Sequence, residues 1–281
     1  MKAGVVGAGL MGAEIALVFA LAGHEVVLHD RSDDALARAI ERLRGILDKG
    51  VSRQFYAPEA ASAALARIEP VAAITAMSDC AMVTEAVYES IDAKSVVLHA
   101  LDDVCPPACI LASNTSTLPI STLAGFLTAE RRARFLGTHY FSPVSRMKLV
   151  EVIPGFATDA EVVDEATDVL AGVGKQPVKI KDVAGFAVNR MLHVLLIEAV
   201  KLVEEGVATP ADLDAACRLG LGHPIGPFAM MDIVTSDLCL QVQDILHDAY
   251  GERFRPPALL KQRVAAGYAG GRGKPGWLGQ N

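Results

Sequence analysis

Lys2-Ala3-Gly4-Val5-Val6 is a short apolar run of β character, and it feeds directly into Gly7-Ala8-Gly9-Leu10-Met11-Gly12, a G-x-G-x-x-G turn. Residues 13–22 follow with apolar side chains at helical spacing, and Gly23 ends them. Residues 24–29 read as a second strand that closes on Asp30. In such a unit each part has a physical task. Gly7 permits the tight turn, Gly9 lets backbone amides approach a pyrophosphate, and Gly12 lets helix and strand pack closely. The start of the helix offers unpaired N–H groups and partial positive charge to phosphates. Asp30 stands 18 residues after Gly12, where a carboxylate accepts hydrogen bonds from an adenosine ribose. Residues 7–12, with Ala8, Leu10 and Met11 between the glycines, are therefore the expected dinucleotide cradle. A glycine-rich turn without a ligand is the plainer alternative; the flanking strand, helix and terminal acid argue against it.

The whole chain sets limits. Its 281 residues, 52% hydrophobic and 21% charged, make one large domain or two modest ones with a real core. A net charge of −7 without a long basic run argues against nucleic acid and anionic membranes as partners. The five cysteines, Cys80, Cys105, Cys109, Cys217 and Cys239, form no C-x-x-C pair and no metal-like grouping with histidine. Reduced thiols, a cytoplasmic location and no bound metal are expected. The chain enters its first strand at once, so no signal or transit peptide is expected. No apolar run reaches the roughly 18–20 residues that span a bilayer.

Ser32-Asp33-Asp34 has the cap and acids of a helix start, and Gly50 is the expected stop. A second helical piece covers 58–66. Strands are expected at 68–74, 80–87, 109–112, 135–141, 148–153 and 176–180, and helices at 91–103 and 159–170. Alternating strands and helices imply an α/β fold with a mostly parallel sheet, whose ligands lie at the carboxyl ends of the strands. From Ala184 the pattern turns wholly helical, over 189–205, from the Thr209-Pro210 start, over 228–250 and over 256–266. The expected division is a Rossmann-like domain, 1–183, and an all-α domain, 184–281.

Three stretches can carry chemistry: the Ser113-Asn114-Thr115-Ser116 loop, His139 to Glu151, and Gly185-Phe186-Ala187-Val188-Asn189-Arg190. Hydride transfer from a carbon bearing a hydroxyl needs a base for the hydroxyl proton, and histidine suits this near neutral pH. A carboxylate behind it fixes the tautomer, and hydroxyl or amide groups hold the developing carbonyl oxygen. His139 and Glu151 lie on neighbouring expected strands, and a turn at 143–146 would bring them together. Ser116 and Asn189 would add polar contacts. Taken singly, each has a plainer reading: a strand-end histidine, a turn serine, a helix-start asparagine. Glu151 stands out, because a carboxylate inside an apolar strand is costly without a partner.

These residues also carry a resemblance. GVVGAGLMG, TEAVYES, ILASNTS, GTHYFSPVSRMKLVEVIPG, KDVAGFAVNR and GHPIGPFAMMD, in this order, resemble the L-3-hydroxyacyl-CoA dehydrogenases, including 3-hydroxybutyryl-CoA dehydrogenases. The resemblance covers nearly the whole chain. It implies a Rossmann-like domain that binds NAD, a helical domain that also forms a homodimer contact, and an acyl-CoA substrate. It implies His139 as catalytic base, Glu151 as its partner, Ser116 near the substrate hydroxyl and nicotinamide, and Asn189 at the opening of the helical domain. It makes Glu89 and Lys94 contacts of NAD, where their own pattern reads equally as a solvated helix start.

Departures accompany it. Ser142 stands where the family usually has asparagine beside the nicotinamide. Ser145-Arg146 replaces a small apolar and proline-containing pair, and Arg146 reads either as a contact to a CoA phosphate or acidic acyl group or as a solvated turn residue. Lys49 and Arg53 are weak candidates for CoA. Near the end, Arg272 aligns without a gap with a cofactor-contacting lysine, and Lys274 does so after a one-residue shift. Asp30 opposes a 2′-phosphate, while adjacent Arg31 leaves NADP open. The expected reaction is reversible NAD-dependent oxidation of an L-3-hydroxyacyl-CoA. Its rivals are the same fold acting on a free hydroxy acid gripped by Arg146, and a non-catalytic NAD-binding protein.

Overall fold

The structure, a computed structural model, describes residues 1–279. The chain divides into two compact units, Met1–Val183 and a second beginning at Ala184. The final two residues of the expected second domain lie outside the described residues.

In the first unit, strands β1 (Lys2–Val6), β2 (Glu25–His29), β3 (Ile68–Val71), β4 (Met82–Glu85), β5 (Ile110–Ser113), β6 (Phe135–Tyr140), β7 (Leu149–Pro154) and β8 (Gln176–Lys179) form one sheet in the order β3-β2-β1-β4-β5-β6-β7-β8. All neighbours pair in parallel except β6 and β7, which are antiparallel. The helices are α1 (Leu10–Leu21), α2 (Asp33–Ser52), α3 (Pro58–Ala66), α4 (Ile91–Val104), α5 (Ile120–Ala124), α6 (Ala129–Arg132) and α7 (Ala160–Gly172). Helix α1 is apolar all round and buried from Gly12 to Ala20, as a helix covered on every side must be. Helix α2 buries a stripe of Leu36, Ala39, Leu43 and Leu47. It starts where Ser32 Oγ accepts the Ala35 amide at 3.2 Å.

Two expectations give way here. Gly50 does not stop α2, which runs to Ser52. Gly50 is there because a Cβ would meet the Tyr56 ring at 2.3 Å, so close approach and not helix termination demands glycine. The strand expected over 68–74 ends at Val71, and a 3₁₀ turn occupies Ile74–Met77. The short helices α5 and α6 carry no clear sequence period and were not anticipated.

The second unit contains α8 (Val188–Glu204), α9 (Pro210–Gly220), α10 (Pro227–Val234), α11 (Ser236–Tyr250) and α12 (Ala258–Ala265), with no strand among the described residues. Thr209 caps α9 by accepting the Asp212 amide at 3.2 Å. The helix expected over 228–250 is broken at Thr235, whose φ is +79°. The cause is visible in the backbone. In a continuous helix the Ser236 amide would donate to the Asp232 carbonyl four residues back. Instead Ser236 N–H donates to Ala269 O at 2.7 Å, and Asp232 O accepts the Gly271 amide at 2.7 Å. A later segment is thus spliced into the ladder. Its glycines permit this, since a Cβ on Gly270 would lie 2.8 Å from the Asp232 Cα. The buried Asp232 carboxylate then accepts the amides of Trp277 and Leu278 at 2.7 and 3.1 Å.

Candidate active site

The antiparallel β6–β7 pair sets His139 directly opposite Glu151. Opposed residues share a face of the sheet, so their side chains meet. His139 Nδ1 lies 2.7 Å from Glu151 Oε2, with the two side chains only 6% and 1% exposed. A carboxylate at Nδ1 keeps a proton there, which leaves Nε2 as the acceptor of the neutral ring. Nε2 lies 3.0 Å from Ser116 Oγ. The edge of Phe141 packs on the imidazole at 4.6 Å between centroids. His139, Glu151 and Ser116 are therefore one hydrogen-bonded chain.

Ser116 sits in the loop that follows β5, and one carboxylate oxygen organises that loop. Glu89 Oε1 accepts the Thr115 hydroxyl at 2.6 Å, the Ser116 and Thr117 amides at 2.8 and 2.9 Å, and the Thr117 hydroxyl at 2.9 Å. Burial pushes the Glu89 carboxyl up, but Lys94 and these donors outweigh it and hold it below the usual carboxylate value. Lys94 itself does not face an open site. Its ammonium, 1% exposed, donates to both oxygens of Glu85 at 2.9 and 3.1 Å and lies 3.3 Å from Glu89 Oε2. Glu85, buried at the end of β4, was overlooked in the sequence, although it is a charge inside an apolar strand just as Glu151 is.

The glycine turn is built as a cradle. Gly7 has φ +104°, and a Cβ there would lie 2.6 Å from Ala86 O. A Cβ on Gly12 would lie 1.9 Å from Gly7 O. Around Gly9, by contrast, nothing lies within 4 Å of an added Cβ. Gly9 stands at the start of α1, whose first amides lack helical partners. An open face bounded by helix-start N–H groups suits a diphosphate. Asp30 serves this turn too: its carboxylate accepts the Ala8 amide at 2.9 Å and the Ser32 amide at 3.0 Å. Each of its oxygens retains a further lone pair for a ribose hydroxyl. The residues present fit a bound dinucleotide.

The segment 142–147 beyond β6 is fixed from beneath. Glu14, buried in the first turns of α1, accepts both the amide and hydroxyl of Ser145, at 3.1 and 3.3 Å. The buried Lys175 ammonium donates to Val144 O and, at 2.8 Å, to Met147 O. Burial lowers the Lys175 pKa, with Glu14 acting the other way. Neither residue was singled out in the sequence. Glu14 carries the same signal as Glu151, an acid within an apolar element; Lys175 carries none. Ser142 is exposed. Arg146 stacks over Phe55 with its guanidinium carbon 5.5 Å from the ring centroid.

In the second unit, Asn189 is half-buried in the first turn of α8. Arg190 beside it lies over Tyr250 at 3.9 Å, and the Tyr250 hydroxyl donates to Ala184 O at 3.1 Å. Arg272 is exposed at the tip of the turn closed by the Lys274 amide on Gly271 O.

Residues 2–183 match the family model described as 3-hydroxyacyl-CoA dehydrogenase, NAD binding domain, and residues 185–279 match the C-terminal domain of the same family. The chain belongs to the 3-hydroxyacyl-CoA dehydrogenase family. It is an NAD-dependent oxidoreductase. Among its relatives, a probable 3-hydroxybutyryl-CoA dehydrogenase of Deinococcus radiodurans is 37% identical over 99% of both chains. A 3-hydroxyadipyl-CoA dehydrogenase of Escherichia coli is 38% identical over 98% of this chain and 57% of its own. A crystal structure of (S)-3-hydroxybutyryl-CoA dehydrogenase from Ralstonia eutropha superposes with a TM-score of 0.93 at 34% identity, covering 98% of this chain and 97% of that one. Within this 3-hydroxyacyl-CoA dehydrogenase, β1, which leads into the glycine turn, and the strands that carry His139 and Glu151 belong to the same sheet.

Proposed function

We propose that this dehydrogenase oxidises the 3-hydroxyl of an L-3-hydroxyacyl-CoA, and reduces the ketone in reverse, with His139 as general base and acid. The observation that carries this reading is the ordered pair of contacts on one imidazole, Glu151 at Nδ1 and Ser116 at Nε2. In oxidation Nε2 takes the substrate hydroxyl proton. Glu151 stabilises the imidazolium that results, and the proton on Nδ1 stays shared with it. The Ser116 hydroxyl turns from Nε2 to the reacting oxygen, donating to it as it becomes a carbonyl oxygen. Bound NAD supplies the hydride acceptor, or as NADH the donor. Gly7, Ala8, Gly9, Leu10, Met11 and Gly12 hold its diphosphate, and Asp30 its adenosine ribose. Glu89 and Ser142 would line the remaining length. Asp30 favours NAD over NADP, because a 2′-phosphate would meet its charge.

The test is reduction of 3-ketoacyl-CoA substrates from C4 to C16 by NADH. Turnover with at least one is expected, faster than with the matching free 3-keto acids; none with any length would sink the assignment. We assign a homodimer joined through the second unit, where Met191, Val194, Leu219, Leu221 and Ile233 are exposed apolar side chains. Sedimentation equilibrium showing a monomer at micromolar concentration would overturn that. The five free cysteines support a reducing, cytoplasmic setting.

A further inference from the structure

The turn between β6 and β7 is held more firmly than a surface turn requires. The Arg146 and Met147 amides both donate to Pro143 O, at 3.0 and 2.9 Å. From beneath, the Glu14 carboxylate accepts the Ser145 amide and hydroxyl, and the Lys175 ammonium holds the Val144 and Met147 carbonyls. Both charges are buried, which costs stability unless their partners satisfy them. What they fix is the backbone on either side of Arg146. Arg146 itself is exposed, and its guanidinium lies over the Phe55 ring, 5.5 Å from the centroid. Phe55, 61% exposed, belongs to the connection between α2 and α3. Burial raises the pKa of the adjacent Tyr56 hydroxyl and the Arg146 charge opposes it, so the cation stands beside both aromatic residues. Among the described residues no carboxylate pairs with Arg146. Lys49 and Arg53, both exposed, stand on the same stretch as Phe55, whose amide donates to Gly50 O at 2.8 Å. In a chain of net charge −7, basic residues of two separate segments are thus brought near one exposed ring.

We propose that Arg146 is a specificity-determining residue that binds a phosphate of the substrate's CoA moiety beside the strand end where His139 acts. The proposal rests on the acyl-CoA reading given above. The turn stands at the carboxyl end of β6, the side of such a sheet on which ligands gather. A guanidinium laid on a ring uses only its face there, and the fork of N–H donors at its edge stays open. That fork matches the paired oxygens of a phosphate. Because the backbone is pinned from beneath and the side chain is laid along Phe55, little freedom remains to be lost on binding. A phosphate is favoured over a carboxylate at the acyl end by the company Arg146 keeps. A lone carboxylate is met by one cation, whereas CoA carries a diphosphate and a separate ribose phosphate, and Lys49 and Arg53 add charge on the Phe55 side.

The experiment compares wild type with Arg146→Met, which keeps an apolar stem against Phe55 without charge or donors, and with Arg146→Lys, which keeps the charge without the fork. Reduction is followed at saturating NADH with acetoacetyl-CoA, with acetoacetyl-pantetheine, which lacks every phosphate, and with 3-oxoadipyl-CoA, which adds a carboxylate at the acyl end. Arg146→Met is expected to raise KM for both CoA esters roughly tenfold. It should spare kcat, as loss of binding shared by ground and transition state does, and leave kcat/KM for the pantetheine ester unchanged. Arg146→Lys should fall between. Equal losses with the CoA and pantetheine esters overturn the proposal, and so does no loss with either. A loss confined to 3-oxoadipyl-CoA also overturns it and makes Arg146 a reader of the acyl end. Absence of turnover in the wild type with every thioester would count against the proposed function. Calorimetry with free CoA and with pantetheine would still decide the phosphate contact: tighter binding of CoA that Arg146→Met weakens supports it, and no binding, or binding that the substitution leaves alone, refutes it.

Discussion

The glycine turn and the His139 cluster lie in one sheet and are made of different matter. At residues 7–12 the working surface is backbone: open space around Gly9, helix-start amides, and glycines where a Cβ would strike Ala86 or Gly7. At His139 the working surface is side chains, and the backbone acts only by pairing β6 with β7 in the register that opposes His139 and Glu151. A backbone device tolerates almost no change of residue but needs no partner chosen elsewhere. A side-chain device needs partners from several strands, here the ends of β4, β5, β6 and β7, and each of those partners is itself held. Asp30 shows the two combined, since its side chain serves by accepting the Ala8 amide of the turn.

Substitutions can break this comparison. The largest effect is expected from His139→Ala. It should lower kcat by ~10²–10⁴-fold, and the melting temperature should fall as well, because the buried Glu151 carboxylate loses its imidazole partner; steady-state kinetics and calorimetry measure the two. A kcat near wild type would remove His139 from the chemistry. Gly12→Ala comes next. Its Cβ would meet the Gly7 carbonyl at 1.9 Å. The first unit should lose about 3 kcal/mol of stability in denaturant unfolding, and no loss would mean the turn yields more easily than its geometry suggests. Gly9→Ala should separate binding from folding, since its Cβ enters open space. Unfolding should be unchanged while NADH affinity falls roughly tenfold, about 1.4 kcal/mol; undiminished affinity would show that the diphosphate lies elsewhere. The smallest effect belongs to Thr209→Ala, a side chain that only caps backbone. It should cost about 1 kcal/mol of stability and leave kcat alone, giving the scale against which the others are read.

The same division explains what could be read from the chain. The turn was legible because glycine is demanded by φ and close approach, which are local properties. The Glu151 partner of His139 was legible because an acid within an apolar strand is unexpected. Glu85 and Glu14 carry that same signal and went unread, and with them the reason for Lys94. Whether a lysine near a helix start faces water or a buried carboxylate depends on how β4, β5 and α4 meet, which no local pattern records. Gly50 teaches the converse: a glycine near an expected helix end was demanded by the Tyr56 ring and not by termination. Asn189 and Arg272 are singled out by the family resemblance alone, since their local patterns specify no chemistry.

The splice at Thr235 has a consequence in time. The bonds that define the junction of α10 and α11 come from Ala269 and Gly271, and the Asp232 carboxylate is satisfied by Trp277 and Leu278. A nascent chain makes its helices in order and folds domain by domain as it emerges. The first unit can therefore close around its sheet while translation continues. The second unit cannot bury Asp232 with its hydrogen bonds made until residues 269–278 leave the ribosome.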